Sequence, residues 1–157
     1  FTAEDVLATS SRLNSPYAVA WDAAGKLLIA DYNNERVRMV NAAGIITTFA
    51  GNGIAANGGD GGDPTQGNLH KPNNVLVLPS GDVLITESNN NRVRRVAGGV
   101  LETVAGTGVL GFAGDGTAPI FAMFQRPLAV DVDAAGTLLI ADRLNRRIRA
   151  VERFVQP

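Results

Sequence analysis

The chain has 157 residues, 45% of them hydrophobic, with a formal net charge of -1, no cysteine and a single histidine. These values exclude disulfides and thiolate chemistry and give no global attraction to nucleic acid. No apolar run approaches the roughly 20 residues of a transmembrane segment.

In chain order, strands are predicted at 17–21, 26–30, 36–40 and 45–50. Each is rich in Val, Ile and Leu and bounded by Gly, Asn or Asp turn signals. The pattern returns at 73–77, 82–86, 92–96 and 100–105, and starts a third time behind Pro127. Pro16, Pro72 and Pro127 align the copies at offsets of 56 and 55 residues. The copies read YAVAWDAAGKLLIADYNNERVRMV, NNVLVLPSGDVLITESNNNRVRRV and LAVDVDAAGTLLIADRLNRRIRAV. A period of this size marks a repeat array. Gly25, Gly81 and Gly136 share the first hairpin turn, where a residue free to take positive φ is needed.

In each third strand, alternation places Val37, Val93 and Ile148 on one face and the Arg pairs on the other. Val19, Val75 and Val130, with Trp21, Val77 and Val132, are predicted to share an inner face. A single sheet cannot bury both its faces, so neighbouring units must stack, and radial stacking of such sheets makes a propeller. Leu13, Leu69 and Phe124, each three residues before the aligned proline, are predicted to plug the seams.

The polar repeats read as structural. Asp31, Glu87 and Asp142 share one position, Asn34, Asn90 and Asn145 a second, and Arg36, Arg92 and Arg147 a third. The acid and Arg are expected to pair across the hairpin while the Asn closes its turn. The linkers AGNGIAANGGDGGDPTQGNLHKP and AGTGVLGFAGDGTAPIFAMFQRP share Gly51/Gly106, Gly53/Gly108, Asp60/Asp115 and Gly61/Gly116. Within the first, GGDGGD leaves Asp60 and Asp63 as weak calcium candidates, without the consecutive copies that a calcium β-helix requires. The sequence implies no cofactor. His70, beside Lys71 and Pro72, would have to serve any zinc centre or Ser-His-acid triad, and reads as a seam or surface residue.

The motifs IADYNNERVRMV, ITESNNNRVRRV and IADRLNRRIRAV, with their AGxGxxGxxGDG-type linkers, resemble NHL repeats across essentially the whole chain. The acid-x-x-Asn-x-Arg pattern falls on Asp31, Asn34 and Arg36, on Glu87, Asn90 and Arg92, and on Asp142, Asn145 and Arg147. Glu87 departs from the usual Asp. The resemblance implies a β-propeller, commonly six-bladed, whose members serve as protein- or RNA-binding platforms, receptor sensor domains, lyases or hydrolases. The expected fold is therefore all-β: a partial propeller of about three four-stranded antiparallel blades. The last blade is truncated, and the whole is expected to be half of a six-bladed ring. The segments are a linker at 1–15, repeat 1 with its linker at 16–71, repeat 2 with its linker at 72–126, and an incomplete repeat 3 at 127–157.

Specific function is sought where the repeat breaks. After the second strand the copies diverge as Tyr32, Ser88 and Arg143, then as Glu35, Asn91 and Arg146. Aromatic and Arg side chains are favoured interface anchors, so Tyr32, Glu35, Arg143 and Arg146 are the binding candidates. Tyr17, Asn73 and Leu128 vary at the entrance to the first strand, near a central channel. The expected function is a noncatalytic protein-interaction scaffold. A segment of a propeller lyase or hydrolase, and an RNA-binding propeller, are the alternatives. Arg38, Arg94, Arg95 and Arg149 are the residues an RNA surface would use, but 15 acidic residues oppose 14 basic ones, which disfavours nucleic acid. Expected partners are the remaining blades of a longer protein or a second copy of the chain, together with a protein ligand. The compartment is left open, with a soluble, extracellular or exported protein in view.

Overall fold

The computed structural model describes residues 4–154. Residues 1–3 of the expected first linker and 155–157 of the third repeat lie outside the described residues. The chain is all-β, in three antiparallel sheets that follow one another along the sequence.

The first sheet comprises β1 (Val6–Leu7), β2 (Pro16–Trp21), β3 (Leu27–Asp31), β4 (Arg36–Val40) and β5 (Ile45–Ala50), in the order β1-β5-β4-β3-β2. The second comprises β6 (Pro72–Val77), β7 (Val83–Glu87), β8 (Arg92–Ala97) and β9 (Val100–Ala105), in sequential order. The third comprises β10 (Val130–Val132), β11 (Leu138–Asp142) and β12 (Arg147–Val151). Predicted strands therefore fall within one or two residues of the observed ones. Each sheet is a blade.

Two details of the register recur. The first strand opens on a proline, which has no N–H to give the ladder, and a bulge follows at Pro16/Ala18 and at Pro72/Asn74. The short strand β1 was not expected. It pairs Val6 with Ile46 and Leu7 with Ile45, along the outer edge of the first blade. In the second blade the linker does the same with one bridge, Gly62 to Leu101. The linkers into blades one and two thus cover the outermost strand of the blade they lead into, along an edge that would otherwise template further pairing.

Blades meet face to face through two apolar clusters. Leu28, Ala30 and Val37 of blade one pack with Val75, Ile85 and Leu101 of blade two around Leu69. Leu84, Val93 and Ala105 of blade two pack with Val130, Leu138 and Ile140 of blade three around Phe124. Leu69 and Phe124 fill their seams as expected, and each fully buried side chain of this size contributes about 1.5–3 kcal/mol. The predicted inner face is only partly covered. Val75 and Val130 are 3% and 6% exposed, whereas Val19 and Trp21 are 61% and 66% exposed. On the far side of the arc Ile148 is 66% exposed, although its counterparts Val37 and Val93 are fully buried. The cause is position: among the described residues, no sheet stacks on the outer face of blade one or of blade three.

Candidate functional site

The repeated polar residues tie blades to linkers. Asp31 accepts Asn34 Nδ2 at 2.8 Å and the Asn14 backbone N–H at 2.7 Å. Asp142 accepts Asn145 Nδ2 at 2.7 Å and the Gln125 N–H at 2.8 Å. Glu87 accepts Asn90 Nδ2 at 2.5 Å, while Asn90 and Asn145 also donate to the linker carbonyls of Ala56 and Gly111. The Asn therefore bridges acid and linker instead of only closing its own turn.

The partner of the acid lies two residues beyond the expected one. Glu87 Oε1 lies 3.2 Å from Arg94 Nη1, and Asp142 Oδ2 lies 3.5 Å from Arg149 Nη1. The first Arg of each strand goes elsewhere. Arg36 donates to Asn52 O at 2.7 Å and Arg92 to Thr107 O at 3.0 Å, lying over Gly53 and Gly108, where any Cβ would collide with the guanidinium. Arg147 sits 3.9 Å over the Phe112 ring. Both arginines of a strand share one face, and the second is the more deeply buried. Arg38, Arg94 and Arg149 point into the linker crossing, where Glu4, Asp60 and Asp115 meet them as a second, repeated salt bridge.

Asp60 is thereby engaged by Arg94 at 2.6 Å and by Thr103 Oγ1 at 2.8 Å, and Asp63 accepts the Thr65 N–H and hydroxyl at 2.8 Å each. These two calcium candidates serve different neighbours, and no group of three or more His, Asp or Glu side chains gathers for a metal among the described residues. The arginines considered for RNA are likewise occupied. Arg38, Arg94 and Arg149 are buried in their salt bridges, and Arg95 bonds Glu102 at 2.5 Å. Burial pushes the Glu87 carboxyl up to about 7, against the opposing pull of Arg94 and Asn90. His70 lies part-buried, 3.3 Å from Asn89 Nδ2.

The four binding candidates separate. Glu35 is buried in the first seam, not on an open rim. Its Oε2 accepts the Lys71 N–H at 2.6 Å and its Oε1 pairs with Lys71 Nζ at 2.7 Å. Asn91 does the neutral equivalent in the second seam, accepting the Arg126 N–H on Oδ1 at 2.9 Å. Lys71 and Arg126 both take positive φ to present that N–H, at 56° and 51°. Arg146 is exposed and also left-handed, outside the clefts between blades.

Tyr32 and Arg143 come together. They line one end of the arc with Ser88, their counterpart in blade two, and with the strand-entrance residues Tyr17, Asn73 and Leu128. Six of the nine divergent residues named from the sequence thus face one cleft of about 50 Å³, joined by Arg126, while Glu35, Asn91 and Arg146 do not line it. Tyr17 and Tyr32 form its wall as a stacked pair, with centroids 4.3 Å apart and planes at 24°. Its floor is the buried amide of Asn73, whose Nδ2 donates to Leu128 O and whose Oδ1 has no partner among the described residues. Arg126 was the residue not anticipated. Its signal was the unnoticed divergence Ser15, Lys71, Arg126 just before each aligned proline.

The three sheets stacked about a common end define the class: this is an arc of a β-propeller. Similar solved structures agree. One is a protein of unknown function from Bacteroides thetaiotaomicron, with TM-score 0.78 and 22% identity, matched over 93% of this chain and 38% of that one. Another is an auxiliary nutrient binding protein from Bacteroides ovatus, with TM-score 0.70 and 17% identity over 90% of this chain and 38% of that one. Virginiamycin B lyase from Staphylococcus aureus matches with TM-score 0.61 and 16% identity over 98% of this chain and 43% of its own. The chain thus spans about two fifths of the length of these structures. No protein-family profile and no curated protein matches it. Among the described residues no helix is long and apolar enough to cross a membrane.

Proposed function

We propose that the chain is part of a noncatalytic protein-interaction scaffold built of NHL-type blades, with its contact surface at the cleft between Tyr32 and Arg143. One observation carries this reading: six divergent residues scattered through three repeats converge on one cleft. Unlike the divergent Glu35 and Asn91, which hold the seams, Tyr32, Ser88 and Arg143 share no structural role that would explain their place there. A stacked aromatic pair beside arginines is the composition of an interface anchor. The nutrient-binding neighbour is compatible with a binding role, but similarity at this identity speaks only to the fold.

Selection of binding segments from a displayed protein-fragment library tests the reading. Tyr32→Ala and Arg143→Gln abolish recovery of the selected binders while melting is unchanged, and Arg146→Gln, outside the cleft, leaves binding intact. Binders insensitive to both cleft variants contradict the proposal. The outer faces carrying Val19, Trp21 and Ile148 belong to a different contact, with further blades of a longer chain or a second copy of this one. Light scattering at micromolar concentration checks it, a dimer supporting the second copy and a monomer the further blades.

A further inference from the structure

The cleft has a definite electrostatic character. Lys71, at the corresponding place in the first seam, is neutralised by Glu35 and lies 5.2 Å over the Tyr32 ring. Arg126 has no such carboxylate, because Asn91 stands where Glu35 does and binds only its backbone N–H. Arg143 is the second cation of the cleft, and no Asp or Glu lines it. Neither guanidinium forms a salt bridge among the described residues. Two exposed guanidiniums thus flank a buried, unmatched acceptor and an aromatic wall.

Size narrows the ligand. A cleft of about 50 Å³, at about 10–15 Å³ for each water-sized group, takes a group of about three to five heavy atoms. A carboxylate is of this size. The donors suit it too, since guanidinium forks match carboxylate geometry.

We infer that the cleft recognises an acidic peptide segment of the partner. A Glu or Asp carboxylate is held between Arg126 and Arg143, and an adjacent aromatic residue packs on Tyr17 and Leu128. This rests on the interaction-scaffold reading and names the partner's chemistry.

The test is a fluorescence-polarisation titration with a labelled hexapeptide, Gly-Phe-Glu-Asp-Phe-Gly, against its Gln-Asn counterpart. The acidic peptide is expected to bind at least about tenfold more tightly than the neutral one, which corresponds to about 1.4 kcal/mol. Arg126→Gln and Arg143→Gln each erase most of that difference, and Arg146→Gln does not. Both cleft arginines are exposed, so unchanged melting verifies that the variants fold. Equal binding of the two peptides overturns the inference, as does full displacement by oligouridylate of matched charge, which would assign the site to phosphate. If the acidic peptide fails while Tyr32-dependent binders still emerge from the fragment library, the scaffold stands and the acidic specificity falls. If neither binds, both fall.

Discussion

The two seams of this arc solve one problem with different chemistry. In both, a left-handed residue after the second strand offers a side-chain oxygen to the backbone N–H that precedes the next blade's proline. In the first seam that oxygen belongs to Glu35, which also takes the Lys71 ammonium. In the second it belongs to Asn91, an acceptor with no charge, so the Arg126 guanidinium is left over. An exchange that keeps the backbone hydrogen bond therefore changes the electrostatics of the cleft. Divergence between repeats is not in itself a mark of function; what matters is whether the exchanged side chains do the same job.

The largest expected effect treats the seams alike. A Cβ at Gly51 would stand 2.4 Å from Glu35 O, and one at Gly106 2.3 Å from Asn91 O, with φ at +90° and +96°. Gly51→Ala and Gly106→Ala should each cost at least about 3 kcal/mol in urea unfolding, through strain and overlap with backbone that cannot move aside. A mild loss at either position would show that the seam is not the rigid contact described.

Glu35→Ala and Asn91→Ala should then separate the seams. The first leaves a backbone N–H and an ammonium without their acceptor, costing about 1–3 kcal/mol, and the second leaves one N–H, costing about 1 kcal/mol. Equal losses would mean that the Lys71 pair contributes nothing beyond the shared hydrogen bond.

Blade two belongs to both seams and holds the buried Glu87, whose folded-state carboxyl is raised from 4.5 to about 7. The folded state then binds this proton more tightly than the unfolded state, so the Glu87 contribution is greatest below about pH 4.5 and declines as pH rises through about 7. Thermal melts of wild type and Glu87→Gln should therefore diverge in favour of the variant with rising pH over that window. A constant difference would contradict a protonated Glu87.

The smallest effect is the most specific. Asn91→Glu installs the first seam's chemistry in the second and gives Arg126 a carboxylate. Stability should change by less than about 1 kcal/mol, while affinity for the acidic hexapeptide falls about threefold or more. Unchanged affinity would mean that Arg126 is not a ligand-binding charge.

Much of the fold was legible because its determinants are local. Strands β4, β5 and β9 begin and end at the predicted residues, since alternation and turn glycines set them without reference to the rest of the chain. What crosses from linker to blade was hidden. The salt bridge from Glu4 to Arg38 repeats that from Asp60 to Arg94 over 34 residues, yet Glu replaces Asp and no short motif joins them. Tyr32, Arg143 and the varied strand entrances, named from the sequence, line this cleft together. Glu35 misled because Glu and Asn differ as letters while accepting the same N–H. Arg126 escaped because its backbone is structural and only its side chain reaches the cleft.

The central claim is that Tyr17, Tyr32, Asn73, Ser88, Leu128 and Arg143, with Arg126, form one binding cleft, while the repeated residues and the Glu35 and Asn91 seams hold the arc. Titrating ¹⁵N-labelled protein with the acidic hexapeptide and following backbone and side-chain amide and guanidinium shifts tests it most directly. The account predicts perturbations concentrated at Asn73, Ser88, Arg126, Leu128 and Arg143, with the seams at Glu35 and Asn91 little moved. Perturbations centred on the outer faces at Val19, Trp21 or Ile148, or spread along the buried Arg38, Arg94 and Arg149, would contradict it.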